Sequence, residues 1–319
     1  MMGKDTIGRK DLLDIGSLSR KEIELILQTT KPFKDLFTRS VKKVPTLKGK
    51  TVVLLFYEPS TRTRTSFEIA AKRLSADVIN ISVAASSIVK GESILDTIKT
   101  LQAMRTDYIV VRHSVSGVPS YISKNTTASV INAGDGFHAH PTQALLDAFT
   151  IKEKIKDLEN TKILIVGDIL HSRVARSDME CFHKLGMKIG VFGPATLIPA
   201  NLPKYIKVFY NYDDTIAWGL PDVIYLLRIQ LERQKTNFFP NIREYHNIFG
   251  ITKERFKIIK DKGIYILHPG PVNRGVELID DVMDYERTLI CNQVENGVAV
   301  RMSVLYLLTQ THSVIDSEV

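Results

Sequence analysis

The stretch Phe56-Tyr57-Glu58-Pro59-Ser60-Thr61-Arg62-Thr63-Arg64-Thr65 sets hydroxyls and guanidiniums side by side, between an apolar strand-like run (Val52 to Phe56) and a helix-like segment. A helix start offers unpaired backbone N–H groups and the positive end of the helix dipole. Ser60, Thr61 and Thr63 add side-chain donors there, and Arg62 adds a planar, permanently charged fork. Together they describe a pocket for a phosphate dianion. An ordinary Ser/Thr N-cap followed by solvent-facing arginines explains one hydroxyl and any single Arg. It does not explain three hydroxyls interleaved with two guanidiniums.

Further polar clusters follow other strand-like runs. Tyr108-Ile109-Val110-Val111 leads into Arg112 and His113, so a guanidinium emerges at a strand's carboxyl end. Ser86 to Ser93 is a loop that carries Lys90 just before a helix expected to begin at Glu92. Asn132 to Gln143 reads as a glycine-bearing loop that delivers His140 and Gln143 to the start of a helix. A neutral imidazole there can donate to a carbonyl, and a Gln amide can accept from an NH₂ group. The alternative for His138 and His140 is a metal pair or an ordinary loop histidine. A metal site needs further ligands, and with no Cys or third His nearby in the sequence none is assigned. In the second half, Arg173 and Arg228 each follow a strand-like run, which points to a second anion such as a carboxylate. His268-Pro269-Gly270-Pro271 is a rigid turn whose missing amide donors leave carbonyl oxygens free to accept.

These side chains need a scaffold that lines up strand ends. Runs rich in Val and Ile near 52–56, 78–81, 108–111, 162–166, 188–192, 222–227 and 263–267 alternate with helix-period segments. The pattern predicts an α/β fold of two doubly wound domains, each a parallel sheet flanked by helices, joined by helices. A helix over Gln143 to Lys156 would link the halves, and one over Gln293 to Leu308, with Val294, Val298, Met302 and Leu305 on one face, would close the chain. At 319 residues two domains are expected rather than one. The net charge of +8 is spread along the chain without a basic block, so an anionic small-molecule substrate accounts for it and nucleic acid is not indicated. Two distant cysteines, Cys181 and Cys291, suit a reducing compartment. No stretch reaches ~18 apolar residues and the start has no signal-like core, so neither membrane nor export is expected, and the default is a cytoplasmic enzyme.

Glu58-Pro59-Ser60-Thr61-Arg62-Thr63-Arg64, Lys90-Gly91-Glu92, His140-Pro141-Thr142-Gln143, Arg228-Ile229-Gln230 and His268-Pro269-Gly270-Pro271 occur in an order and spacing that resembles the aspartate/ornithine carbamoyltransferase family, essentially end to end. The resemblance implies a carbamoyl phosphate-binding domain over 1–150, completed by a C-terminal helix over 288–319, and an aspartate-binding domain over 151–287. It implies transfer of the carbamoyl group from carbamoyl phosphate to L-aspartate, an early step of pyrimidine biosynthesis, without metal or organic cofactor. By that resemblance Ser60, Thr61, Arg62 and Thr63 hold the phosphate, while Thr63, Arg112 and His140 point donors at the carbonyl oxygen. Gln143 and the Gly270–Pro271 turn, through the Pro271 carbonyl, would accept from the carbamoyl NH₂. Arg173, Arg228 and Gln230 would clamp the aspartate carboxylates. Ser86 and Lys90 would reach a neighbouring subunit's site, so the active unit would be a homotrimer; Val89 stands where some relatives have a second polar or basic residue. Glu58 would be a domain-bridging salt-bridge partner rather than a catalytic acid. Relatives occur as free trimers, with zinc-bearing regulatory chains or with dihydroorotase, and no feature of the sequence selects among these.

Three rivals remain in view. The ornithine branch typically has Lys in place of Glu58 and His-Cys-Leu-Pro in place of residues 268–271, and its cationic substrate would want acidic or thiol neighbours rather than Arg228. A dinucleotide-binding dehydrogenase would share the sheet, but Val166-Gly167-Asp168 lacks the G-x-G-x-x-G fingerprint. A non-catalytic scaffold would have no physical need for this set of residues.

Overall fold

Most strands form here where β-branched and aliphatic residues run without alternation, the signature of strands covered on both faces. Thr51–Phe56 (β1, TVVLLF) is buried from its second residue onward. The other strands of the first sheet are Asp77–Ser82 (β2), Tyr108–His113 (β3) and Ser129–Asp135 (β4). A second sheet holds Lys162–Val166 (β5), Lys188–Phe192 (β6), Ile206–Phe209 (β7), Val223–Leu226 (β8) and Tyr265–Leu267 (β9). This computed structural model describes residues 6–82, 92–229 and 241–315; Ser86, Lys90 and Gln230 lie outside them.

All pairings between strands are parallel, in the orders β2-β1-β3-β4 and β7-β6-β5-β8-β9. Each order reverses direction once, between β1 and β3 in the first sheet and between β5 and β8 in the second. At such a switch point the connections leave to opposite sides, opening a crevice at the strands' carboxyl ends.

The helices are Arg20–Asp35 (α1), Thr61–Arg73 (α2), Ile94–Ala103 (α3), Val118–Ser123 (α4), Pro141–Lys154 (α5), Arg173–Lys184 (α6), Tyr212–Ala217 (α7), Ile242–Phe249 (α8), Lys253–Lys262 (α9) and Ile290–Ile315 (α10). Two compact units result, one of Met1–Phe149 with Val294–Val319 and one of Thr150–Gln293, the divisions falling inside α5 and α10. The first unit packs Val53, Leu55, Ile109 and Val111 of its sheet against Ile98 and Leu101 of α3 and Ile122 of α4. In the second, Leu164, Val166, Ile224 and Leu226 pack against Phe256 and Ile259 of α9.

Several expectations need correction. β4 and β7 were not anticipated: Ser129 to Asp135 is masked by its Asn, Gly and Asp, and Ile206–Phe209 is a short edge strand. Asn132 to Asp135 is therefore fully buried strand rather than loop. α3 starts at Ile94, because Ser93 caps it by accepting from Asp96 N. α10 is not one-faced: Ala299 to Leu305 are all buried, Arg301 and Ser303 included, while Val294 is 54 % exposed. A helix covered nearly all round carries no clean apolar stripe to read.

Candidate active site

At the carboxyl end of the first sheet's switch point, β1 runs through Glu58 and Pro59 into Ser60, the N-cap of α2. Ser19, Ser93, Ser172, Asn211, Asn241 and Thr252 each use their side chain to cap a helix. Ser60 makes no such bond. Its hydroxyl stands at the dipole's positive end without a capping role, next to exposed Thr61 and Arg62 and buried Thr63. The first helical N–H groups, having no intrahelical acceptor, face the same way.

Arg112 pairs in register with Phe56, which puts its side chain at the end of β3 beside the end of β1. Its Nη1 donates to Ala133 O at 3.4 Å, and its Nε stands 3.4 Å from Glu58 Oε2. This ion pair lies within the first unit. His113, beside it, accepts at Nδ1 from Val115 N at 2.9 Å, and burial holds its pKa below the usual imidazole value despite the charges of Glu58 and Asp135.

β4 ends at Asp135, which is 1 % exposed and organises the turn to α5. Its carboxylate accepts from Gly117 N (2.7 Å), Asn132 Nδ2 (2.8 Å) and Ala139 N (3.1 Å), and His138 Nδ1 lies 3.0 Å away. His138 is thereby bonded to the turn's own anchor. Among the described residues no group of three His, Cys, Asp or Glu is placed to hold a metal ion. The turn delivers buried His140 just before Pro141, which opens α5 with the φ a helix needs. Gln143, 9 % exposed, follows on the first turn and donates from Nε2 to Asp147 at 3.2 and 3.1 Å. Ser60, Thr61, Arg62, Thr63, Arg112, His140 and Gln143 thus all sit at the ends of three adjacent strands.

The second unit repeats the arrangement around its own switch point. β5 turns at Gly167, whose φ of +125° and whose bare Cα, with Tyr245 Oη and Leu227 Cβ 3.1 and 3.2 Å from where a Cβ would stand, both require glycine. That packing, rather than a pyrophosphate, accounts for the lone glycine before Asp168. Ser172 caps α6, and Arg173 is its first residue, 6 % exposed. Arg228 follows β8, the neighbour of β5.

The segment carrying Arg228 is pinned by a residue the sequence did not single out. Glu277, 1 % exposed, accepts from Ile229 N (3.0 Å), Asn273 N (2.6 Å) and Asn273 Nδ2 (2.9 Å), and Asn273 Nδ2 also donates to Ile229 O at 3.2 Å. Burial raises the pKa of Glu277 above the usual carboxylate value. His268 is buried after β9; its Nδ1 accepts from Gly270 N at 2.8 Å and its Nε2 lies 3.9 Å from Glu277 Oε2. One carboxylate therefore ties Ile229 to the turn bearing Gly270 and Pro271. Burial is the signal that exposes it, and burial is not written in the sequence.

Residues 10–153 match the family described as aspartate/ornithine carbamoyltransferase, carbamoyl-P binding domain, and residues 159–308 match its Asp/Orn binding domain. The chain belongs to the aspartate/ornithine carbamoyltransferase family. Within it, the chain is 60 % identical over 301 residues to an aspartate carbamoyltransferase catalytic subunit of Akkermansia muciniphila, covering 94 % of this chain and 97 % of that one. A second, of Endomicrobium trichonymphae, is 57 % identical over 300 residues, covering 94 % and 95 %. Among solved carbamoyltransferases, the catalytic subunit of M. jannaschii aspartate transcarbamoylase is similar at 34 % identity and a TM-score of 0.79, covering 94 % of this chain and 98 % of that one. The Trypanosoma cruzi aspartate transcarbamoylase in complex with aspartate and phosphate gives 28 % and 0.81, covering 93 % and 95 %. The two carbamoyltransferase domains fall close to the two compact units, each of which carries one switch-point cluster.

Proposed function

We propose that this chain transfers the carbamoyl group of carbamoyl phosphate to the amine of L-aspartate, giving N-carbamoyl-L-aspartate and phosphate in pyrimidine biosynthesis. The observation that carries the reading is the placement of two separate cationic clusters, one at each sheet's switch point, as a phosphate-bearing and a dicarboxylate substrate require. Relatives at 60 % and 57 % identity named as aspartate enzymes support aspartate over ornithine, as does Arg228, a charge that a cationic ornithine side chain would be repelled by.

The amine nitrogen attacks the carbonyl carbon, the bond from that carbon to the phosphate oxygen breaks, and the proton the amine gives up ends on the departing phosphate. Ser60, Thr61, Arg62 and Thr63 hold the phosphate and neutralise the charge that gathers on it as it leaves. Thr63, Arg112 and His140 stabilise the oxyanion of the tetrahedral intermediate. Gln143 and the Pro271 carbonyl, at the Gly270–Pro271 turn, accept from the carbamoyl NH₂, fixing which end of a nearly symmetric group faces the amine. Arg173, Arg228 and Gln230 clamp the two carboxylates, so that positioning supplies much of the rate. Ser86 and Lys90, from a neighbouring subunit, complete the site in a homotrimer, as the family resemblance of residues 90–92 implies. Among the described residues no helix is long and apolar enough to cross a membrane; we place the enzyme in the cytoplasm.

The test is carbamoyl transfer by the purified chain at saturating carbamoyl phosphate, with L-aspartate and L-ornithine compared. Product from aspartate alone is expected; product from ornithine would overturn the dicarboxylate clamp.

A further inference from the structure

Gln143 and Asp147 lie four residues apart on one face of α5, and Asp147 is fully buried. The Gln143 amide donates from Nε2 to both carboxylate oxygens, at 3.2 and 3.1 Å. The charge of Asp147 acts in turn on Arg301 of α10, a guanidinium 3 % exposed that donates to Ser66 Oγ at 2.8 Å and lies 4.9 Å from the centre of the Phe67 ring. Burial depresses the Arg301 pKa to about 10 and Asp147 works in the opposite sense.

A carboxylate only accepts hydrogen bonds, so the half of the amide that faces Asp147 is its NH₂, and Oε1 is turned away from it. A Gln without such a partner can present either half to a ligand. We infer that Asp147, backed by Arg301, is a positioning residue that locks the Gln143 amide with its acceptor oxygen free, and that this makes the site select an acyl phosphate bearing an NH₂ group over one bearing a methyl. The inference rests on the reading above of Gln143 as the acceptor for the carbamoyl NH₂. Carbamoyl and acetyl phosphate have nearly the same shape, but the methyl cannot donate, and it leaves a buried oxygen unsatisfied.

The experiment measures the dissociation constants of carbamoyl phosphate and acetyl phosphate on the folded full-length chain and on the variants Gln143→Ala, Asp147→Asn and the two combined. The preference for carbamoyl phosphate is expected to fall about tenfold in Gln143→Ala, a hydrogen bond's worth. It is expected to fall comparably in Asp147→Asn, and no further in the double variant. Loss of preference in Gln143→Ala with Asp147→Asn unchanged, or weakened equally for both ligands, overturns the positioning role and leaves the Gln143 reading standing. No change in Gln143→Ala overturns that reading and the inference with it. Should Asp147→Asn fail to fold because Arg301 is stranded, Asp147→Leu with Arg301→Met removes both charges and frees the amide, with the same expected loss of preference.

Discussion

At the scale of single residues, burial and charge assign different jobs to chemically similar groups. Arg62 is exposed, Arg112 is half-buried against Glu58, and Arg173 is buried at a helix start. Replacing Arg228 with Ala is expected to raise the KM for aspartate about 10- to 150-fold, as for loss of hydrogen bonds to a charged group, while carbamoyl phosphate affinity is unchanged. Steady-state kinetics with each substrate varied will read that split, and a matching loss for both substrates would contradict it. His140→Ala acts on the oxyanion instead and is expected to lower kcat about 100- to 1,000-fold. His113 allows a pH prediction. Its native pKa lies below the usual histidine value because burial disfavours the cation. Between the two values the unfolded chain holds more protons, so stability rises with pH through that window and is lost as pH falls through the native pKa. His113→Asn keeps an acceptor for Val115 N but does not titrate. Urea midpoints at pH 5 and pH 7.5 should therefore differ less in the variant than in the parent.

Individual elements separate a hydroxyl that caps its helix from one that does not. Ser93 both accepts from Asp96 N at 3.2 Å and donates to Asp96 Oδ2 at 2.6 Å, closing the first turn of α3. Ser60 occupies the same position on α2 without capping it. Ser93→Ala should cost about 1 kcal/mol in denaturant unfolding, whereas Ser60→Ala should cost less than about 0.5 kcal/mol and instead weaken carbamoyl phosphate binding. A stability loss in Ser60→Ala as large as that in Ser93→Ala, with binding intact, would return Ser60 to the ordinary capping role. The same scale explains what the sequence concealed. Asp147 is visible afterwards as the i+4 partner of Gln143, but an Asp in a helix is more often a solvated surface charge. Glu277 lies 48 residues beyond the Ile229 amide that it holds, so no local pattern connects them.

For the whole molecule, the proposed trimer makes the site a property of the assembly. Lys90→Ala and Arg62→Ala chains should each be inactive alone. Mixed under conditions of demonstrated subunit exchange, they should regain part of the activity, because some hybrid sites draw both residues from unmutated chains. No recovery would count against a shared site.

Most of the scaffold was legible in the sequence alone. Seven of the strands, the hydroxyl- and guanidinium-bearing start of α2 and the strand-end arginines follow from runs rich in Val and Ile and from residue types that only certain local geometries put together. What tertiary structure alone decided is which strand lies beside which, and so where the order reverses and a crevice opens. It also decided which carboxylates are taken out of water: Asp135, Asp147 and Glu277 hold a turn, an amide and a loop because each is buried against donors that lie near or far along the chain. Local propensity reaches only a few residues along the chain, whereas desolvation depends on everything packed around a group.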